Sequence, residues 1–321
     1  MVYNSGMKKY FTIAFLIFCL CLPILCSGCL AIVTYNAVVE TSSYDIEEDY
    51  NNIDINAITA NITFMHSNTS QSKVFYNGIV GQKHSVEVVN GTLTISQEKS
   101  EEWYDQILNY ASSYIVIHLN KIQYDSLEIV SESSSVEIQT GFIFNNVDIQ
   151  NNTGDIKWKS DVVDTLSIQT QTGDLKLEDA SFNMIKVNND TGDVKITSCS
   201  ASSHTLVKIE NGNLTLTNAR LNLLHAKINT GYAMLSGVYA SDQIMLIIET
   251  GNIFVYSSDT KKAEFTTTTG DIFASFLSNK TIEANASSGQ INIPSNSAVA
   301  NGTCTAITQT GNITIDFGAN A

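Results

Sequence analysis

The sequence predicts an all-β chain: a single-domain parallel β-solenoid (β-helix) of about ten coils of 19–20 residues, preceded by an N-terminal hydrophobic anchor. Three observations predict it. A turn glycine recurs at a nearly fixed spacing, apolar and polar residues alternate on both sides of it, and no repeat shows a sustained helical period. Pro294, the only proline after the leader, also suits sheet rather than helix.

The first 35 residues have the pattern of an export leader. Between the MKK sequence and Glu40 no charged residue occurs, and most residues are apolar. In one interpretation CSGC is a lipobox-like sequence and Cys29 is lipidated, although Cys26 occupies the position where a lipobox usually has leucine. In the other, residues 11–33 form an uncleaved helix whose 23 residues would cross the membrane. Both predict a membrane-bound chain at the extracytoplasmic face.

Acceptor sequences for N-glycosylation (Asn-x-Ser/Thr) support export. The alternative is that Asn- and Thr-rich turns produce them by chance. The candidate acceptors are Asn61, Asn68, Asn90, Asn151, Asn189, Asn213, Asn279, Asn285, Asn301 and Asn312.

Charge and cysteine content argue against several classes of protein. The net charge is −15 and Arg220 is the only arginine, so the basic stripe of a nucleic-acid-binding protein is missing from the sequence. Only Cys199 and Cys304 follow the leader, which gives no disulfide framework or metal-binding cysteine pair. We expect both to be small buried residues.

The turn glycine defines the repeat. Successive copies are 19 to 22 residues apart, and Ser135 takes the glycine position in a further unit upstream. We expect these glycines to have positive φ at a corner of each coil. The marker residues are Gly154, Gly173, Gly192, Gly212, Gly231, Gly251, Gly270, Gly289 and Gly311.

Strands are predicted on both sides of each glycine. Positions +2 and +4 after the glycine are apolar in nearly every copy, as in Ile156 and Trp158, and are therefore expected to face inward. Since one such unit cannot close its own core, each is expected to stack on the next copy as a parallel coil, at the ~4.8 Å spacing of strands.

Domain boundaries follow from the repeat. Residues 1–35 are the leader or anchor, residues 36–130 an N-terminal β segment of the solenoid, and residues 131–321 the repeat solenoid. The charged and aromatic sequence at 98–113 interrupts the strands, as a short amphipathic helix or as a loop.

The chain resembles the putative-adhesin family, a family of unknown function. The resemblance rests on the order of an export leader, NGTLTI at 90–95, IVIHL at 115–119 and a series of TGD[ILV]K units, and it covers about residues 36–321. It implies a β-solenoid at the cell surface and supplies no catalytic residue.

Two classes of function remain. Asp155, Asp174 and Asp193 recur at coil spacing and would stack along one edge, where they could hold Ca²⁺ or act in a polysaccharide lyase or hydrolase. Asp and Asn are also ordinary turn residues, and this architectural role is the one we expect. The prediction is a protein without enzyme activity, cofactor or metal.

The expected role is therefore adhesive or structural, with cell-surface polysaccharide or another surface protein as partner and no nucleic acid. Extended solenoid faces bind through repeated small contacts. The candidate contact residues are the outward Lys157, Lys159, Lys176 and Lys195, with Tyr232 as the best exposed aromatic candidate.

Overall fold

The structure is a computed structural model that describes residues 39–79, 83–98, 113–295 and 300–318. The predicted anchor with Cys29, and nearly all of the predicted interruption at 98–113, lie outside these ranges. Across the described ranges no helix is long and apolar enough to span a membrane. The regular elements described are all strands.

The strands form two sheets that share β21. In chain order they are β1 (Val39–Ile46), β2 (Asn52–Ala57), β3 (Asn61–His66), β4 (Ser72–Ile79), β5 (His84–Val89), β6 (Thr92–Gln97), β7 (Tyr114–Leu119), β8 (Gln123–Ser133), β9 (Val136–Ile138), β10 (Ile143–Thr153), β11 (Ile156–Trp158), β12 (Asp161–Thr172), β13 (Leu175–Glu178), β14 (Ser181–Thr191), β15 (Val194–Thr197), β16 (Ser200–Asn211), β17 (Leu214–Thr217), β18 (Arg220–Thr230), β19 (Ala233–Ser236), β20 (Tyr239–Thr250), β21 (Ile253–Thr269), β22 (Ile272–Phe276), β23 (Thr281–Ser288), β24 (Ile291–Asn292), β25 (Thr303–Thr310) and β26 (Ile313–Phe317).

Each repeat forms one coil of a parallel β-solenoid. We call the sheet that contains the long strands, such as β12, sheet B. The short strands that follow the turn glycine, such as β13, belong to the other sheet, which we call sheet A. Because alternate residues face inward, Leu175 and Leu177 are almost wholly buried. Trp158 is also inside, as predicted, and its Nε1 donates a hydrogen bond to the carbonyl oxygen of Ser160. The predicted all-β parallel solenoid is confirmed, whereas the predicted anchor lies outside the described residues.

The turn glycines have φ between 126° and 152°, which confirms the predicted positive values. A second reason for glycine is the close approach of adjacent coils. At each of the nine positions an added Cβ would lie only 1.8–2.3 Å from a carbonyl oxygen of the coil below. Gly231 is typical: its Cβ would lie 1.9 Å from the oxygen of Gly212.

A second corner follows the short strands β13, β15, β17 and β19, and a similar one lies within β21. Here non-glycine residues adopt the left-handed conformation, with φ of 45–54°. They are Asp179, Ser198, Asn218 and Ser257, and Gly237 takes the same place in its own coil. Asp and Asn tolerate this conformation, because their short polar side chains bond locally. The sequence analysis had not identified this corner.

The prediction that each copy stacks on the next in sequence is wrong at the C-terminal end, and the N-terminal segment has a similar exchange. The last coil, β25–β26, lies between β21–β22 and β23–β24. Likewise β2–β3 lies between β6–β7 and β8–β9. This order pairs the last strands of the chain on both sides, so they do not form an open edge, which is a hazard for aggregation.

Candidate functional site

The stacked Asp and Asn residues connect the coils to each other. The N–H of Asp174 donates to Oδ1 of Asp155 (2.9 Å), and the N–H of Asp193 donates to Oδ1 of Asp174 (2.8 Å). The series then passes through Asn213 to the N–H of Tyr232 (3.0 Å). The predicted stack of Asp and Asn residues is therefore present, and we call it the Asp/Asn ladder. Its side-chain oxygens accept hydrogen bonds from backbone N–H groups of the next coil. Within the described ranges no group of three or more His, Cys, Asp or Glu residues could hold a metal ion.

Two of the candidate glycosylation sites are in the core. Asn151 is 2% exposed and Asn189 is 0% exposed. The Nδ2 of Asn189 donates to the carbonyl oxygens of Gly173 and Gly192, and that of Asn151 bonds in the same way. A glycan on Nδ2 does not fit there, so the expectation for these two residues is wrong in the folded chain. The other acceptors remain predictions.

The predicted lysine patch on sheet A is largely neutralised. Lys157 contacts Glu137 (2.9 Å), whereas Lys159 and Lys176 both contact Glu178 (3.1 and 2.7 Å). The hydrogen bond from Lys176, with that from Lys159, holds the pKa of Glu178 below its ordinary value. This patch therefore offers little unpaired charge to a ligand.

A row of aromatic side chains lies on the outer face of sheet A. We call Tyr232, Phe254, Tyr256 and Phe273 the aromatic row. The rings of Tyr232 and Phe254 are 6.4 Å apart between centroids, those of Phe254 and Tyr256 6.3 Å, and those of Tyr256 and Phe273 5.2 Å. Tyr232 is 37% exposed, and the other three rings are partly exposed.

The surroundings of this row are mostly uncharged. Phe254 and Phe273 are paired on adjacent strands of sheet A. The residues paired with them on the further strands form one column across the sheet: Thr215 and Met234 on one side and Thr314 on the other. Sequence reasoning had singled out only Tyr232. The other three could have been found, because odd offsets from the turn glycine face outward and these offsets carry aromatic residues in adjacent copies.

Comparison with protein families identifies the chain. The family model described as Toastrack DUF4097 matches residues 50–246 and 206–321. The chain belongs to the Toastrack DUF4097 family. This confirms the resemblance to a putative-adhesin family of unknown function drawn from the repeat.

Three solved structures match the Toastrack chain at low sequence identity. One is described as a putative adhesin from Bacteroides fragilis, with 16% identity, 88% of this chain and 98% of that chain covered, and a TM-score of 0.42. A putative lipid binding protein from Parabacteroides distasonis has 13% identity, the same coverage and a TM-score of 0.48. A putative adhesin from the same organism has 12% identity, again 88% and 98% coverage, and a TM-score of 0.45. No curated protein matches the Toastrack chain.

Proposed function

We propose that this chain is a non-enzymatic, adhesin-like protein of the cell surface that binds neutral segments of envelope polysaccharide through the aromatic row. The observation that carries the proposal is the set of four rings on the outer face of a rigid sheet. The N-terminal segment would hold the chain to the membrane, through Cys29 or as a helix, and leave the solenoid at the extracytoplasmic face.

The chemistry of the row suits a sugar chain. Contiguous apolar patches on a soluble domain mark interaction surfaces, and aromatic rings contribute most where one face is apolar and an edge is polar. Sugar rings offer C–H faces that pack on aromatic rings and hydroxyls that hydrogen-bond around them. The phenol groups of Tyr232 and Tyr256 add polar contacts beside the apolar faces of Phe254 and Phe273. A polymer could contact several of these rings at once.

The alternative is a polysaccharide-cleaving β-helix that uses the stacked carboxylates. In the ladder, Oδ1 of Asp155 and of Asp174 already accepts a backbone N–H from the next coil. These bonds favour an architectural role for both residues. The alternative predicts cleavage of the polysaccharide, which the experiments would detect.

Variants for the test can be taken from the solenoid itself. Neighbouring coils carry Asn213 at the position of Tyr232, Thr215 in the column of Phe254 and Phe273, and Ser236 opposite Tyr256. The combined variant Y232N/F254T/Y256S/F273T therefore removes the rings with residues this fold already accepts. Tyr239→Ser is the control, because Tyr239 is a 50% exposed aromatic residue in sheet B.

The experiment measures retention of the full-length chain, in non-ionic detergent, on immobilised envelope polysaccharide. We expect the wild type and Tyr239→Ser to be retained and the combined variant to elute with the unbound fraction. Retention of the combined variant equal to that of the wild type would overturn the proposal, and its unfolding midpoint shows that the variant is folded.

A further inference from the structure

The outer face of sheet B contains a groove of about 480 Å³ with a basic lining. Lys186, Leu206 and His225 lie side by side on adjacent strands, and Asn188, Lys208 and Lys227 lie two residues further along the same strands. We call these six residues the lysine groove. No carboxylate lines it.

The charges of the lysine groove contrast with the rest of the chain, whose net charge is −15. Lys186 and Lys227 are exposed and have no ion pair among the described residues. Lys208 contacts Glu210 (2.5 Å) at the border of the groove. Because adjacent strands are ~4.8 Å apart, the long side chains of Lys186 and Lys227, whose ammonium groups are unpaired within the described ranges, can converge on one small anion beside Lys208.

One polar atom in the groove lacks a partner. Oδ1 of Asn188 is buried and accepts no hydrogen bond from the described residues. A ligand that displaces the side chains covering this oxygen and carries a hydroxyl group next to its anionic group would satisfy it, and an unsatisfied buried acceptor is unfavourable. The groove therefore offers cations for a charge and an acceptor for a hydroxyl.

Carboxylates at the border of the groove limit how long an anionic segment of a ligand can be. Asp190 and Glu210 follow Asn188 and Lys208 by two residues on the same strands and hence on the same face. A continuous polyanion such as nucleic acid would meet these carboxylates. A chain with separated anionic groups and neutral, hydroxylated links would not.

Phosphate is the anion that we assign to the lysines of the groove. Lysine binds phosphate as a compact point charge with three donors, and phosphate has enough oxygens to accept from more than one lysine at once. An anionic bilayer is a less suitable source of that phosphate, because its flat surface would bring the acidic remainder of the chain against like charge. A single flexible polymer chain can reach the groove alone.

We propose that the lysine groove is a second binding site, separate from the aromatic row, for a phosphate group of a hydroxylated polymer such as poly(glycerol phosphate). Lys186 and Lys227 contact the phosphate oxygens, and Asn188 accepts a hydrogen bond from a polyol hydroxyl. The site does not depend on the function proposed for sheet A.

The test titrates glycerol 3-phosphate and poly(glycerol phosphate) into the full-length chain in non-ionic detergent, at low salt. Lys186→Gln/Lys227→Gln removes two charges from the groove. Lys195→Gln/Lys261→Gln is the matched control, since both residues are exposed, lie outside the groove and have no ion pair among the described residues. The loss of two charge-assisted contacts should weaken binding about tenfold or more.

We expect the control variant and the aromatic-row variant to bind both probes within about twofold of the wild type, a change well below the value of one hydrogen bond to a charged group. Phosphatidylglycerol added as mixed micelles with the same detergent should not compete. Unchanged binding by Lys186→Gln/Lys227→Gln, equal weakening by the control, or binding to the phosphatidylglycerol micelles alone would overturn the proposal.

Discussion

The Nζ atom of Lys280 lies 2.5 Å from Oδ1 of Asp259, and the lysine is 0% exposed. The same Nζ donates to Oγ of Ser278 (2.7 Å) and to the carbonyl oxygen of Asn301 (2.8 Å). These groups come from β21, from the segment before β23 and from the segment before β25. The ammonium group therefore joins the three parts of the chain that place β25–β26 inside the stack.

Lys280→Met should destabilise the solenoid by about 3 kcal/mol, because removing one partner of a buried pair leaves the other charge uncompensated. The measurement is the urea midpoint of the full-length chain. Lys261→Met, at an exposed site, should change the free energy of unfolding by less than about 0.5 kcal/mol. Adding Asp259→Asn to Lys280→Met should recover part of the loss. Equal midpoints for the two lysine variants would contradict this account of the crossover.

Gly231→Ala should destabilise the chain by about 3 kcal/mol or more. Residues other than glycine rarely adopt the φ of Gly231, and the Cβ of the alanine would overlap the stacked coil. Gly91→Ala is the control: Gly91 also has positive φ (76°), but nothing lies within 4 Å of its added Cβ. We expect the control to lose only about 1 kcal/mol. Similar losses in the two variants would show that coil contact is not the reason for glycine.

Tyr232→Asn should stabilise the chain although it removes an exposed ring. At this position the Asp/Asn ladder is interrupted, and among the described residues no side-chain acceptor pairs with the N–H of Asn252. An asparagine would accept that N–H as Asn213 accepts the N–H of Tyr232, with a gain of about 0.5–1 kcal/mol. Tyr232→Ala is the comparison without an acceptor. If the two variants unfold at the same midpoint, the ladder adds nothing measurable.

The two cysteines should make stability fall at high pH. Burial raises the pKa of Cys199 to about 11 and that of Cys304 to about 12, from an ordinary 9.0. Above pH 9 the unfolded thiols lose their protons while the folded ones keep them. The free energy of unfolding therefore falls as the pH rises from 9 towards the folded pKa values, by up to roughly 1.4 kcal/mol per pH unit for each thiol.

The check on the thiols compares urea midpoints at pH 8 and pH 10. Cys199→Ala/Cys304→Ala should show a shallower fall than the wild type, since lysine titration is common to both proteins. The same slope in both would contradict the assignment to the thiols.

The middle of the fold could be predicted from the sequence because one local rule repeats. The turn glycine sets the corner, and alternation places residues such as Trp158 inside. The order of coils at the ends could not be predicted, since every copy presents similar strand edges. That choice depends on single long-range contacts such as Lys280 with Asp259.

The binding surfaces were less predictable. Alternation marked Lys157 as outward, but only the structure shows Glu137 beside it. Asn189 has a sequon, yet its place in the register puts its amide in the core. The aromatic row can be found in the sequence only by comparing offsets from the turn glycine in adjacent copies. The lysine groove combines side chains from three coils, so no motif in the linear sequence marks it.

The most direct test of the central claim incubates intact envelope polysaccharide with the full-length chain and measures retained protein and newly formed reducing ends together, with and without Ca²⁺. The account predicts retention without release, independent of Ca²⁺ and lost in Y232N/F254T/Y256S/F273T. Release of reducing ends that disappears in D155N/D174N/D193N would contradict it and would assign catalysis to the aspartate ladder.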